Sequence, residues 1–271
     1  MIRVLSVLWL FFWRDLAIAR TYRTAFLMEA IEALFGSAMF YYVSRFVDSP
    51  QLQHALPEGK TYFAFSLVGF VFLDYLNVAI DTFDRSLEEA RDSGTLEHLL
   101  ITQTSLPAFL VGSAIYPFLR TALRIAIYVG WGAAFFGFPL KGANWPSVLV
   151  VLLVTLLAFS GLGILSSSYV LLLKRGNPGK WLLLGISSVV SGMLFPVSIL
   201  PHWLQVVARL NPITYALDAM RAALLNGSNL VELWRPLVVL LVFAVVLLPA
   251  SSATFAWALR RTKATGTLMH R

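Results

Sequence analysis

The sequence contains no cysteine, which excludes disulfides, thiolate metal sites and a cysteine nucleophile. Charge is scarce as well: 13% of the 271 residues are charged, against about a quarter in a typical soluble domain. The four histidines, His54, His98, His202 and His270, are scattered, and neither HExxH nor GxSxG occurs. No catalytic residue and no metal site is therefore nominated. The tripeptide GKT at Gly59–Thr61 is not a phosphate loop, because His54 stands where G-x-x-x-x-G-K-[ST] requires glycine. No polar segment is long enough to bury a core of its own, so no separate soluble domain is expected.

What is abundant is hydrocarbon. Hydrophobic residues make up 58% of the chain, and the mean hydropathy is +0.76. Several apolar runs reach the roughly 20 residues that cross a bilayer, so the fold class is an all-α integral membrane protein forming one domain over residues 1–271. The net charge of +7 does not point to nucleic acid, because the basic residues sit at the ends of apolar runs instead of forming a stripe.

Six spans are expected, at about residues 26–47, 62–82, 106–138, 145–173, 181–200 and 234–259. The third and fourth exceed the length needed and must tilt, kink or project, with Pro117 offering a kink in the third. Residues 1–25 hold a short apolar run, Val4–Trp13, followed by Arg14, Asp15, Arg20 and Arg23 without a small-residue cleavage site. They read as an amphipathic helix in the cytoplasmic headgroup region; a short buried first helix is the other reading. With both termini cytoplasmic, the inner segments hold thirteen Lys and Arg and the outer segments six. That bias favours both ends inside. The outer segment "PHWLQVVARLNPITYALDAMRAALLNG" is amphipathic and proline-punctuated. It predicts two short helices broken near Asn211-Pro212, in the outer leaflet or capping it.

Charges inside spans cost about 2.5–3.5 kcal/mol each on insertion scales and call for partners or a function. Glu29 and Glu32 lie near the start of the first span, where they can remain at the interface; Asp74 lies near the middle of the second, and Arg120 and Arg124 share one face of the third. Either Asp74 or Glu29 pairs with one of these arginines across helices, or the group lines a polar route for substrate headgroups.

One cytoplasmic stretch, "SLEEARDSGTLEHLLITQTS" (Ser86–Ser105), is densely charged. Ser86 and Glu89 have capping-box spacing, which predicts a helix extending the second span into the cytoplasm. Gly94 permits a sharp bend. A short second helix then places Leu96, Leu99 and Leu100 on one side, suited to docking in a partner's groove; a solvated hairpin is the alternative.

This stretch resembles the E-x-G-T-L-E-x-L-L-x-T-P coupling helix of ABC-2 type exporter permeases, departing at Gln103 and Thr104 near the family's proline. A second motif, "SGMLFPVSILPHWLQVVARLNPITYALDAMRAALL", is similar to that family's fifth span and outer helices. The resemblance extends over nearly the whole chain and implies a bacterial inner-membrane permease with no ATPase of its own. It further implies a homodimer of permeases, each docked to a cytosolic ATP-binding subunit that carries ATP and Mg. Gly94, Thr95, Leu96, Glu97, His98, Leu99 and Leu100 would form the ATPase interface. Phe195, Pro196, Pro201, Asn211, Pro212, Tyr215, Asp218 and Arg221 would form the extracellular gate. Glu29, Asp74, Arg120 and Arg124 remain candidates for the translocation pathway. The expected cargo is a hydrophobic or amphiphilic substrate, a drug or lipid. A lipid-linked polysaccharide or polyol phosphate is the alternative, and an ATP-independent ion-coupled carrier or channel is the rival of another class.

Overall fold

A computed structural model describes residues 9–10, 12–17, 23–47, 61–92, 94, 106–173, 185 and 187–264, and contains no strand among them. Residues 9–10 and 12–17 are helical, with Trp9 packed on Phe12 and Trp13 at 5.9 and 5.8 Å between ring centroids. The main helices are α1 (Arg23–Phe46), α2 (Tyr62–Asp92), α3 (Leu106–Phe135), α4 (Trp145–Leu173), α5 (His202–Leu210), α6 (Pro212–Leu225) and α7 (Trp234–Ala264). Four of them, α1, α2, α4 and α7, contain stretches long and apolar enough to cross a membrane: Phe26–Phe46, Tyr62–Ala90, Trp145–Leu172 and Trp234–Thr262. The α3 helix is of similar length, at 30 residues, but carries two arginines, Arg120 and Arg124.

Burial assigns the helices different jobs. In the apolar window of α2, 72% of residues are buried, against 11% in α1 and 22% in α7. The second helix is therefore the hub on which the others pack. Its Leu67, Phe72, Leu76 and Ile80 are almost wholly enclosed, together with Phe159 of α4, Leu217 of α6 and Leu240 of α7. Inside a bilayer this packing is stabilised by van der Waals contact more than by release of water, so close approach matters. Gly163 supplies it between α2 and α4: a Cβ there would sit 2.7 Å from the Ala79 carbonyl oxygen. Tyr75 of α2 also donates to the Leu152 carbonyl of α4 at 3.0 Å.

The helix ends follow local chemistry. Asn144 caps α4 by accepting from the Ser147 amide at 3.2 Å, and its amide donates to Asn229 at 2.8 Å. The α3 helix stops at Phe135, a turn before the expected limit at Phe138. Gly137 turns left-handed there, at φ 71°, and the Phe138 amide donates back to the Gly132 carbonyl at 3.0 Å.

Two local expectations are corrected. No helix begins at Ser86: α2 runs continuously to Asp92, and the Ser86 hydroxyl donates to the Thr82 carbonyl at 2.8 Å instead of capping. The predicted extension exists, but as one helix with the span. The described part of the fifth expected span also ends early, with helix to Val190, bends over Ser191–Phe195 and a 3-10 turn at Val197–Ile199. Gly192, at φ 79°, and Pro196 provide the break. The six-span count remains an expectation, since residues 174–184 lie outside the described set.

Candidate functional site

Two ion pairs join α1, α2 and α3. Arg124 of α3 meets Asp74 of α2 at 2.7 Å, and Arg120, one turn earlier, pairs with Glu29 of α1. The i,i+4 spacing puts both guanidiniums on one side of α3, where each finds a carboxylate from a different helix. Of the two sequence alternatives, pairing across helices is what the geometry contains, and both acids named for it take part. The same helices are fastened by Ser37, donating to the Tyr128 carbonyl at 3.3 Å, and by the Trp131 indole, donating to the Ala30 carbonyl at 3.0 Å. Asp74→Asn is expected to destabilise the protein by about 2 kcal/mol, because it leaves Arg124 short of its counter-charge. The double exchange Asp74→Arg with Arg124→Asp restores most of that loss. Thermal unfolding of the purified single and double variants in lipid nanodiscs measures the coupling.

The second cluster surrounds Arg221. Its α6 helix starts at Asn211, whose side chain accepts from the Ile213 amide at 3.0 Å and donates to Ser187 at 3.1 Å. Pro212 occupies the first turn, where a missing N–H costs nothing. The predicted break between two short helices therefore has a capping residue on its inner side. Ten of the fourteen α6 residues are buried, so this helix caps the bundle by packing into it.

Arg221 is 7% exposed and points at backbone. Its Nη1 donates to the Gly192 carbonyl at 2.8 Å; Nη2 donates to Met193 at 2.7 Å and to Phe65 of α2 at 3.2 Å. The guanidinium also lies 3.4 Å from the centre of the Phe65 ring. One side chain thus gathers the bent segment, α2 and α6. Burial lowers the Arg221 guanidinium to about 9, so at neutral pH it is still charged. Asp218 keeps an exposed edge and makes no ion pair with Arg221 among the described residues. Loss of surrounding solvent nonetheless raises its carboxyl above the ordinary value, with Arg221 opposing.

The remaining gate candidates lie along the same stretch. Phe195 stacks toward Tyr62 at 6.5 Å, Pro196 precedes the 3-10 turn, and Pro201 begins α5. Tyr215 donates to the Arg209 carbonyl at 2.8 Å, tying α6 to α5. Of the candidate ATPase contacts, only Gly94 is described, as a left-handed turn at φ 69° just after α2. Thr95, Leu96, Glu97, His98, Leu99 and Leu100 lie outside the described residues.

Sequence reasoning missed one buried polar contact. Asp84 accepts from Ser166 at 2.6 Å and from Ser167 at 3.0 Å, joining the C-terminal parts of α2 and α4. The available signal was the run Ser166–Ser168 in an otherwise apolar helix. The chosen span limit at residue 82 hid its relation to Asp84.

Comparison with known proteins places these features in a family. A probable multidrug ABC transporter permease of Escherichia coli K12, YbhR, is 25% identical over 178 residues, covering 66% of this chain and 47% of that protein. The chain thus matches about half the length of YbhR. Nodulation protein J of Rhizobium meliloti 1021 is 27% identical over 193 residues, covering 70% of this chain and 71% of that protein. The uncharacterized protein YhgE of Bacillus subtilis 168 is 32% identical over 89 residues, covering 32% of this chain and 11% of that protein. The family model for ABC-2 type transporters matches residues 6–225, a region containing both ion pairs, Gly94 and the Arg221 cluster, and the chain belongs to that family.

Proposed function

We propose that the chain is the membrane-spanning subunit of an ATP-driven exporter that moves a hydrophobic or amphiphilic molecule out of the cytoplasm or inner leaflet. ATP is hydrolysed by a separate cytosolic subunit docked at residues 94–100, and a second copy of the chain completes the pathway. Both termini are cytoplasmic and the membrane is a bacterial inner membrane. The family match over residues 6–225 carries this reading, and the relative named as a multidrug permease supports the cargo class.

The aromatic residues fall into two settings. Tyr62, Phe63 and Phe65 are each at most 9% exposed, whereas Tyr42 is 62% and Phe46 89% exposed. Phe40 packs on Phe70 at 4.8 Å, and Tyr41 packs on Phe136 at 5.1 Å. These rings hold helices together.

Co-purification with an ATP-binding subunit and ATPase stimulation by amphiphiles test the reading; a permease that transports alone overturns it. The docking segment has its own test. Glu97→Ala combined with Leu99→Ala is expected to reduce recovery of the ATP-binding subunit about tenfold, while the permease still inserts normally. This loss equals about 1.4 kcal/mol of binding. Unchanged recovery and unchanged transport remove residues 94–100 from the interface.

A further inference from the structure

The two ion pairs leave one carboxylate over. Glu29, Glu32 and Asp74 supply three negative charges to the α1–α2–α3 cluster, while Arg120 and Arg124 supply two positive ones. No ion pair reaches Glu32 among the described residues, and the residue is exposed at the edge of the cluster, where its charge still reaches Asp74 and Tyr128. It lies inside the apolar window Phe26–Phe46, about 9 Å along the helix from Phe26 at 1.5 Å per residue.

Glu32 is also set into a particular surface. Met28 precedes it by four residues and Phe35 follows by three, so all three share one helix face. Met28 is 63% exposed, Phe35 69%, and Met39, one turn further, 65%. The outward side of α1 is thus an apolar ladder with a single carboxylate near its inner end. A carboxylate within an apolar window is strongly disfavoured, and Arg120 and Arg124 are already taken. The missing component is a positive charge attached to an apolar body. From Glu32 to Met39 the ladder rises about 10 Å, enough for a short alkyl chain or a group of aryl rings.

We propose that this face of α1 binds amphiphilic monovalent cations, with the cationic centre at Glu32 and the apolar body along Phe35 and Met39. Met28 closes the inner side. The assignment rests on the exporter reading and specifies its cargo as cationic. The charge surplus rejects anions of the same shape, since the anion would meet the unpaired carboxylate in a medium that screens poorly.

Tetraphenylphosphonium and tetraphenylborate provide a test, being nearly identical in shape and opposite in charge. Binding of each is measured to the permease in nanodiscs, with empty nanodiscs subtracted. The wild-type protein is expected to bind the phosphonium saturably and to show no saturable binding of the borate. Glu32→Gln is expected to weaken phosphonium binding about tenfold, and Glu32→Asp to retain most of it. Because no ion pair reaches Glu32 among the described residues, both variants are expected to unfold at the wild-type temperature. Equal binding of the two ions, absence of phosphonium binding, or unchanged affinity in Glu32→Gln overturns the proposal. So does a Glu32→Gln variant whose only change is a shift between one and two copies in light scattering, since Glu32 would then face a second chain. Co-purification of the ATP-binding subunit is read separately. Its failure would remove the exporter reading even with cation binding intact, and its success with charge-blind binding would remove only the cation assignment.

Discussion

Arg221→Ala is expected to destabilise the protein by about 4 kcal/mol, the scale for breaking a buried charged network. Three carbonyl oxygens, those of Gly192, Met193 and Phe65, lose a charged donor together. The Phe65 ring loses the cation stacked 3.4 Å from its centre. The Gly192 and Met193 carbonyls belong to a bend, so no helical backbone partner replaces the guanidinium there. Arg221→Lys restores roughly half of the loss, because an ammonium keeps the charge but lacks the planar fork that reaches several acceptors at once. Thermal unfolding in nanodiscs gives the size of the effect, with a Tm decrease on the order of 10 °C for the alanine variant. Limited proteolysis locates it: new cleavage is expected between Ser191 and Leu200. A variant with wild-type Tm and no new cleavage shows that the junction is held by other contacts.

Gly69→Ala is expected to cost about 3 kcal/mol or more, at the upper end of overpacking effects. The added methyl would sit 2.1 Å from the Met193 carbonyl oxygen and 2.8 Å from Arg221 Nη2. Both neighbours are fixed. The carbonyl is backbone, and the guanidinium is bound to that same carbonyl. Relief therefore requires the bent segment to move off α2, which breaks the Arg221 bonds as well. For that reason Gly69→Ala combined with Arg221→Ala is expected to be less destabilising than the sum of the two single changes. Unfolding of the three variants under one set of conditions measures this coupling, and strict additivity contradicts the shared junction.

Much of the architecture was legible because hydrocarbon length is a one-dimensional property. The apolar runs of α1, α2, α4 and α7 appear in the residue order, and their helices begin within about three residues of the expected starts, although α2 runs on past residue 82 to Asp92. The break at Asn211-Pro212 was legible for a similar reason: a capping residue followed by proline defines a helix start locally. The α3 boundary was harder, because Phe136 and Phe138 are as apolar as the helix before them. The left-handed glycine between them is what stops it.

The sequence by itself determined that this is a helical membrane protein, where its long helices lie, which charges fall inside them, and which family motifs it carries. Only the tertiary structure decided that Arg124 meets Asp74, that Arg120 meets Glu29 and not Glu32, and that Arg221 serves three carbonyls instead of Asp218. The reason is physical. In a water-soluble helix, alternation of polar and apolar residues marks the side that packs. Here a helix such as α4 is apolar around most of its circumference, so periodicity does not reveal which neighbour each face meets. Partners such as Arg120 and Glu29 are 91 residues apart, and their meeting depends on how α1, α2 and α3 pack together. Residue order records a charge that needs a partner; the packing of the helices selects the partner.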